Sequence, residues 1–143
     1  MYKRGFTAGT FDMLHIGHLN LLNAAKKKCD YLIVGVNSDD LVSVYKNKLP
    51  IINCQDRMQL INALEIVDQV ELMDNLDKVD AWKKFQFDCV FIGDDWKGSS
   101  RWIETEEQLK KYGVEVCYLP YTKGVSSTKL AKKIINSKDE SRC

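Results

Sequence analysis

Residues 8–28, AGTFDMLHIGHLNLLNAAKKK, hold a glycine-threonine pair, both histidines of the chain (His15 and His18) and an apolar pattern of helical period. The residues before this stretch are β-rich, so the glycine-threonine pair marks a tight turn from a strand into an amphipathic helix. Leu19, Leu22, Ala25 and Cys29 form the apolar stripe of that helix. Met58, Ile61 and Leu64, with Leu60 beside them, mark a second stripe, for which Asn53 or Asp56 offers an N-cap.

Strands are predicted near residues 3–9, 31–37, 67–72, 88–93 and 114–119, with helices in most of the gaps. Such alternation predicts a single-domain α/β fold: a Rossmann-like, doubly wound parallel sheet of about five strands with helices on both faces. The predicted domain covers residues 1–136, and residues 137–143 read as a frayed tail. The segment SDDLVSVYKNKLPIINCQD, after the second strand, reads as an irregular connection and, for its length and lysines, as a candidate lid.

The composition narrows the function classes. With 143 residues, 45% hydrophobic and 29% charged, the chain is long enough for one packed core. Apolar runs such as YLIVGV are too short to span a bilayer, and the opening MYKRGF lacks the apolar region of a signal peptide. A cytoplasmic protein without membrane partners is expected. Five cysteines without a CxxC pair suggest neither a zinc cage nor a disulfide framework. The net charge is +1, and the lysine pairs and runs fall on predicted helices, where they read as solvated faces rather than a nucleic-acid footprint.

In a doubly wound sheet, ligands bind beyond the carboxyl ends of the strands. GTFD follows the first strand, NSDD the second, GDDWKG the fourth and YTKGVSSTK the fifth. These polar segments therefore converge on one edge. Gly9 and Thr10 offer bare backbone N–H groups and a hydroxyl to an anion, and HIGH opens the helix, where the partial positive charge of its N-terminus adds to them. His15 and His18 can face one group, with Gly17 leaving room for a ligand. Structural histidines, a metal pair completed by Asp12, and a dinucleotide turn are the competing readings; the missing GxGxxG disfavours the last.

GTFDMLHIGH resembles the GTFDxxHxGH signature of the cytidylyltransferase branch of the nucleotidyltransferases, and GVSST resembles that family's GISTT segment. The likeness runs over roughly residues 3–136 and is greatest to the glycerol-3-phosphate cytidylyltransferases. It implies that a substrate phosphate attacks the α-phosphorus of CTP and expels pyrophosphate, with magnesium accompanying the nucleotide and a small phosphorylated alcohol, most simply glycerol 3-phosphate, as acceptor. It implies a homodimer as well. A phosphate nucleophile is already ionised, so such a site needs charge stabilisation rather than a general base.

The resemblance assigns catalysis to Thr10, His15, His18 and Lys46. Nucleotide contacts would come from Gly9, Thr10, Phe11, Asp12, Lys48, Asp94, Thr122, Gly124, Ser126, Ser127 and Thr128, with the serines and Thr128 also capping the last helix. Two arginines of the family pattern are replaced here, by Tyr121 before Thr122 and by Glu65 in LEIVDQV. Arg101, in the segment KGSSRWIETEEQLKKYG, is either a substitute phosphate clamp or the first turn of a surface helix. That segment also resembles choline- and ethanolamine-phosphate cytidylyltransferases. An amino-alcohol phosphate acceptor, an ATP-dependent adenylyltransferase and a silent nucleotide-binding module are the alternatives.

Overall fold

Phe6 and Thr7 at the middle of the first strand are fully buried, as a strand covered on both sides requires. In the computed structural model, which describes residues 1–137, this strand is β1 (Tyr2–Gly9). It is followed by α1 (Ile16–Lys26), β2 (Cys29–Asn37), α2 (Asp39–Lys46), α3 (Cys54–Asn62) and β3 (Gln69–Met73). The chain continues through α4 (Lys78–Phe85), β4 (Cys89–Gly93), α5 (Ser100–Lys110), β5 (Glu115–Leu119) and α6 (Ser127–Asn136). The expected frayed tail lies outside the described residues, apart from Ser137.

All strand pairings are parallel, in the order β3-β2-β1-β4-β5. The chain winds outward through β2 and β3, then crosses back to β4 on the other side of β1. The switch point, where a crevice opens, therefore lies between β1 and β4. Two apolar clusters cover the two faces of the sheet. Leu22 and Ala25 of α1 and Ile61 of α3 pack with Leu32, Val34 and Phe91, while Ala81 of α4 and Trp102 and Leu109 of α5 pack with Phe6, Ile33 and Val90. The predicted single-domain, doubly wound α/β sheet is the observed one. No helix among the described residues is long and apolar enough to cross a membrane.

Three local expectations change. Cys29 opens β2 instead of closing the α1 stripe, because α1 ends at Lys26. Leu64 lies beyond the end of α3, and Leu60 is exposed; Asn53 is the N-cap, accepting from Asp56 N. The connection read as irregular contains α2, capped by Ser38, charged favourably by Asp39 and Asp40 in its first turn, and ended by Asn47 in the left-handed conformation.

Candidate active site

The turn after β1 holds two non-glycine residues at positive φ, Phe11 at 54° and Met13 at 49°. Such conformations are held by surrounding bonds rather than by local preference. Asp12, buried between them, accepts from Ile51 N at 2.8 Å and Ile52 N at 2.9 Å through its two carboxylate oxygens. Its backbone carbonyl accepts from Ser127 Oγ at the start of α6. The turn is thereby fastened to the loop after α2 on one side and to the last helix on the other.

His15 is the N-cap of α1 and His18 its N3 residue. Gly17 N donates to His15 Nδ1 at 3.0 Å, and His15 N donates to His18 Nδ1 at 3.2 Å. This is a capping box built from imidazoles instead of a hydroxyl and a carboxylate. The rings stack at 3.7 Å between centroids, and Phe11 meets His18 edge-on at 5.4 Å. Because each Nδ1 accepts, the neutral tautomer of each ring carries its proton on Nε2. His15 Nε2 is buried with no hydrogen-bond partner among the described residues.

Burial pushes His15 below the ordinary histidine range. Burial first, and then the neighbouring His15, lowers His18 to about 4. Both rings are therefore uncharged N–H donors near neutral pH. The bare Gly17 makes room for this stack and also lines the cavity: a Cβ there would meet His15 Cε1 at 2.9 Å and Val125 Cγ1 at 3.3 Å.

These groups face a cavity of about 380 Å³ at the β1/β4 switch point. Gly9, Thr10, Phe11, Asp12, His15 and His18 line it from the first turn. Lys46 and Lys48 line it from the end of α2 and the loop beyond. Thr122, Ser126, Ser127 and Thr128 line it from the last connection and α6. Ser126 is the N-cap of α6, accepting from Lys129 N, and the first-turn N–H groups behind it have no partners within the helix. Asn20 Nδ2 donates to Thr122 Oγ1 at 3.0 Å, tying α1 to this connection.

The remaining sequence candidates fall outside the lining. Asp94 Oδ1 accepts from Tyr121 N at 3.1 Å and so joins the ends of β4 and β5, whereas Ile92, Gly93, Asp95, Trp96, Pro120 and Tyr121 around it line the cavity. Gly124 supplies a positive φ of 86° in the last connection. Arg101 is exposed in the first turn of α5 and does not line the cavity. Glu65 is exposed as well.

One residue of this region has no place in the sequence reading. Arg57, fully buried in α3, donates to the carbonyls of Thr10 at 2.6 Å, Asn37 at 2.9 Å and Ile52 at 2.8 Å. It also pairs with Asp39 at 2.6 Å. One guanidinium thus braces the ends of β1 and β2, the loop after α2, and α2 itself. Its signal in the sequence is its spacing: Arg57 stands four residues before buried Ile61, on the inward face.

The profile described as cytidylyltransferase-like matches residues 6–133. The chain belongs to the cytidylyltransferase-like family. It is a nucleotidyltransferase, and it spans nearly the whole length of two glycerol-3-phosphate cytidylyltransferases. Over 131 residues it is 37% identical to glycerol-3-phosphate cytidylyltransferase of Bacillus spizizenii, covering 91% of this chain and 95% of that protein. Over 133 residues it is 34% identical to glycerol-3-phosphate cytidylyltransferase of Staphylococcus aureus, covering 92% and 95%. A solved lipopolysaccharide core biosynthesis protein from Thermoplasma volcanium superposes with a TM-score of 0.69 at 27% identity, covering 85% of this chain and 98% of that one.

For this cytidylyltransferase-like enzyme the half-buried imidazoles carry a consequence for stability. His18 binds a proton at its ordinary value of 6.5 when unfolded but only near 4 when folded. Between those values the unfolded chain holds more protons, so the free energy of unfolding should fall as the pH drops from about 6.5 towards about 4. Asp68, already lowered from 3.8, acts only below that window. Thermal denaturation across the window should show the fall in the wild type and a smaller one in His18→Asn, whose Oδ1 can keep the cap. An identical pH dependence in the two proteins would overturn the assignment.

Proposed function

We propose that the enzyme transfers the cytidylyl group of CTP to a small phosphorylated alcohol, with glycerol 3-phosphate as the preferred acceptor. An acceptor phosphate oxygen attacks the α-phosphorus, the bond from the α-phosphorus to the bridging oxygen breaks, and its electron pair leaves with pyrophosphate. The observation that carries the choice of base and acceptor is the full-length similarity to proteins named for that reaction.

The cavity's donor set suits this chemistry. The imidazole of His18, the Thr10 hydroxyl, the α6 N-terminus and Lys46 and Lys48 all offer positive or donor groups to oxyanions, with His15 stacked on His18 beside them. Each imidazole is uncharged and has its Nδ1 committed to backbone, which fits stabilisation of developing charge and not proton abstraction. Lys46 and Lys48, on the one wall built from α2 and its loop, would close over the phosphates. Among the described residues no three His, Cys, Asp or Glu side chains stand close enough to hold a metal ion, and both oxygens of Asp12 are taken by backbone. The described residues therefore offer no three-residue cage for the magnesium that the resemblance implies with the nucleotide.

Tyr121, on the cavity wall where the family pattern has arginine, favours testing acceptors less like glycerol 3-phosphate as well. Pyrophosphate release should be measured with CTP and ATP against glycerol 3-phosphate, choline phosphate and ethanolamine phosphate. CTP with glycerol 3-phosphate should give the highest kcat/KM. Rates with ATP that equal or exceed those with CTP would remove the cytidine assignment, and a faster amino-alcohol phosphate would move the acceptor.

A further inference from the structure

Tyr45, one residue before the end of α2, lies outside the cavity lining, yet its hydroxyl reaches the strand ends that build the cavity. Asn37, buried at the end of β2, donates from Nδ2 to Tyr45 Oη at 3.1 Å. Tyr45 Oη stands 2.8 Å from Thr10 Oγ1, which does line the cavity. A phenol has a single proton, so an oxygen that accepts from the Asn37 amide has that proton to give to Thr10. Thr10 then spends a lone pair on Tyr45 and keeps its own O–H for the cavity.

A bound phosphate selects the same direction from the other end, because its oxygens accept and do not donate. We propose that Tyr45 is a positioning residue for nucleotidyl transfer: it turns the hydroxyl proton of Thr10 towards the phosphate of the substrate. The inference rests on the reading that a polyphosphate lies against Thr10. The chain of donors then runs from Asn37 N–H to Tyr45, from Tyr45 O–H to Thr10, and from Thr10 O–H to the ligand. With Tyr45→Phe, the Thr10 hydroxyl loses the partner that sets its rotation. Lys46 Nζ lies 5.8 Å from the Tyr45 ring centroid, so an effect carried by the lysine must be separated from one carried by Thr10.

Calorimetric binding of inorganic pyrophosphate to the full chain makes that separation. Tyr45→Phe should weaken binding about tenfold, the scale of one oriented hydrogen bond to a charged group. In a Thr10→Val background the same change should have no further effect. In a Lys46→Ala background the tenfold loss should persist, because Thr10 still needs its orientation; a role confined to presenting Lys46 would make the loss disappear there. Unchanged affinity in Tyr45→Phe, or a loss that vanishes with Lys46→Ala, would overturn the inference. Pyrophosphate carries neither base nor acceptor, so a wrong choice of CTP or glycerol 3-phosphate leaves the measurement intact. A wild-type protein that does not bind pyrophosphate would overturn the polyphosphate reading and this inference with it.

Discussion

Changing His18 to alanine should lower kcat by a factor on the order of 10² or more, the scale of one lost donor to developing charge, with a much smaller effect on CTP affinity. A donor aimed at charge that grows in the transition state contributes little to ground-state binding. Alanine also removes the acceptor for His15 N, so the comparison needs two further variants. Asparagine can keep the Nδ1-like acceptor while losing the Nε2 donor, and glutamine can place an amide N–H near the Nε2 position. Loss of kcat should therefore be nearly as large in His18→Asn as in His18→Ala, and smaller in His18→Gln. Steady-state kinetics with full-length protein decides it: near-normal kcat in His18→Asn would leave His18 as a cap and nothing more.

The largest stability effect should come from Arg57→Ala, which is expected to cost about 3 kcal/mol or more, because several buried carbonyls lose their donor at about 1–3 kcal/mol each, while Asp39, a third exposed, can turn to water. The change strands the carbonyls of Thr10, Asn37 and Ile52 and leaves Asp39 without its partner. It also removes the brace that sets β1, β2 and the loop after α2 in relation to one another. Arg57→Lys should recover only part of the loss, because an ammonium cannot reproduce a planar fork that serves three carbonyls and a carboxylate. Urea denaturation measures both variants. A loss below about 1 kcal/mol in Arg57→Ala, less than one buried hydrogen bond left unsatisfied, would show that the guanidinium is dispensable.

The inner strands were legible because a strand buried on both faces is written as an apolar run, and β2 from Leu32 to Val36 is one; the edge strands β3 and β5, only partly buried, were legible from their β-rich residues alone. The histidines were legible because their spacing and the flanking glycines place them at a helix start. The helix α2 was not: Val42 is its only buried residue, so it carries almost no apolar stripe, and its existence rests on the Ser38 cap and the Asn47 terminus. Arg57 escaped because a charged residue on an inward helix position reads as an interruption of the stripe. Its partners are backbone carbonyls from three separate segments, which leave no trace in side-chain chemistry. Gly17, read as space for a ligand, does line the cavity, and its missing side chain also makes room for the ring of His15. Tyr45 has no motif at all; only the folded positions of Asn37 and Thr10 give its hydroxyl a direction.

The bond between Ser127 Oγ and the Asp12 carbonyl joins positions 115 residues apart. During synthesis, the β1 turn and its two histidines leave the ribosome long before the residues that make the opposite wall. A nascent chain can pair β1 with β2 and pack α1 while the cleft is still open to water on the side of α6. A chain that stops short of Ser126 thus carries the imidazoles with the α6 wall of the cleft missing.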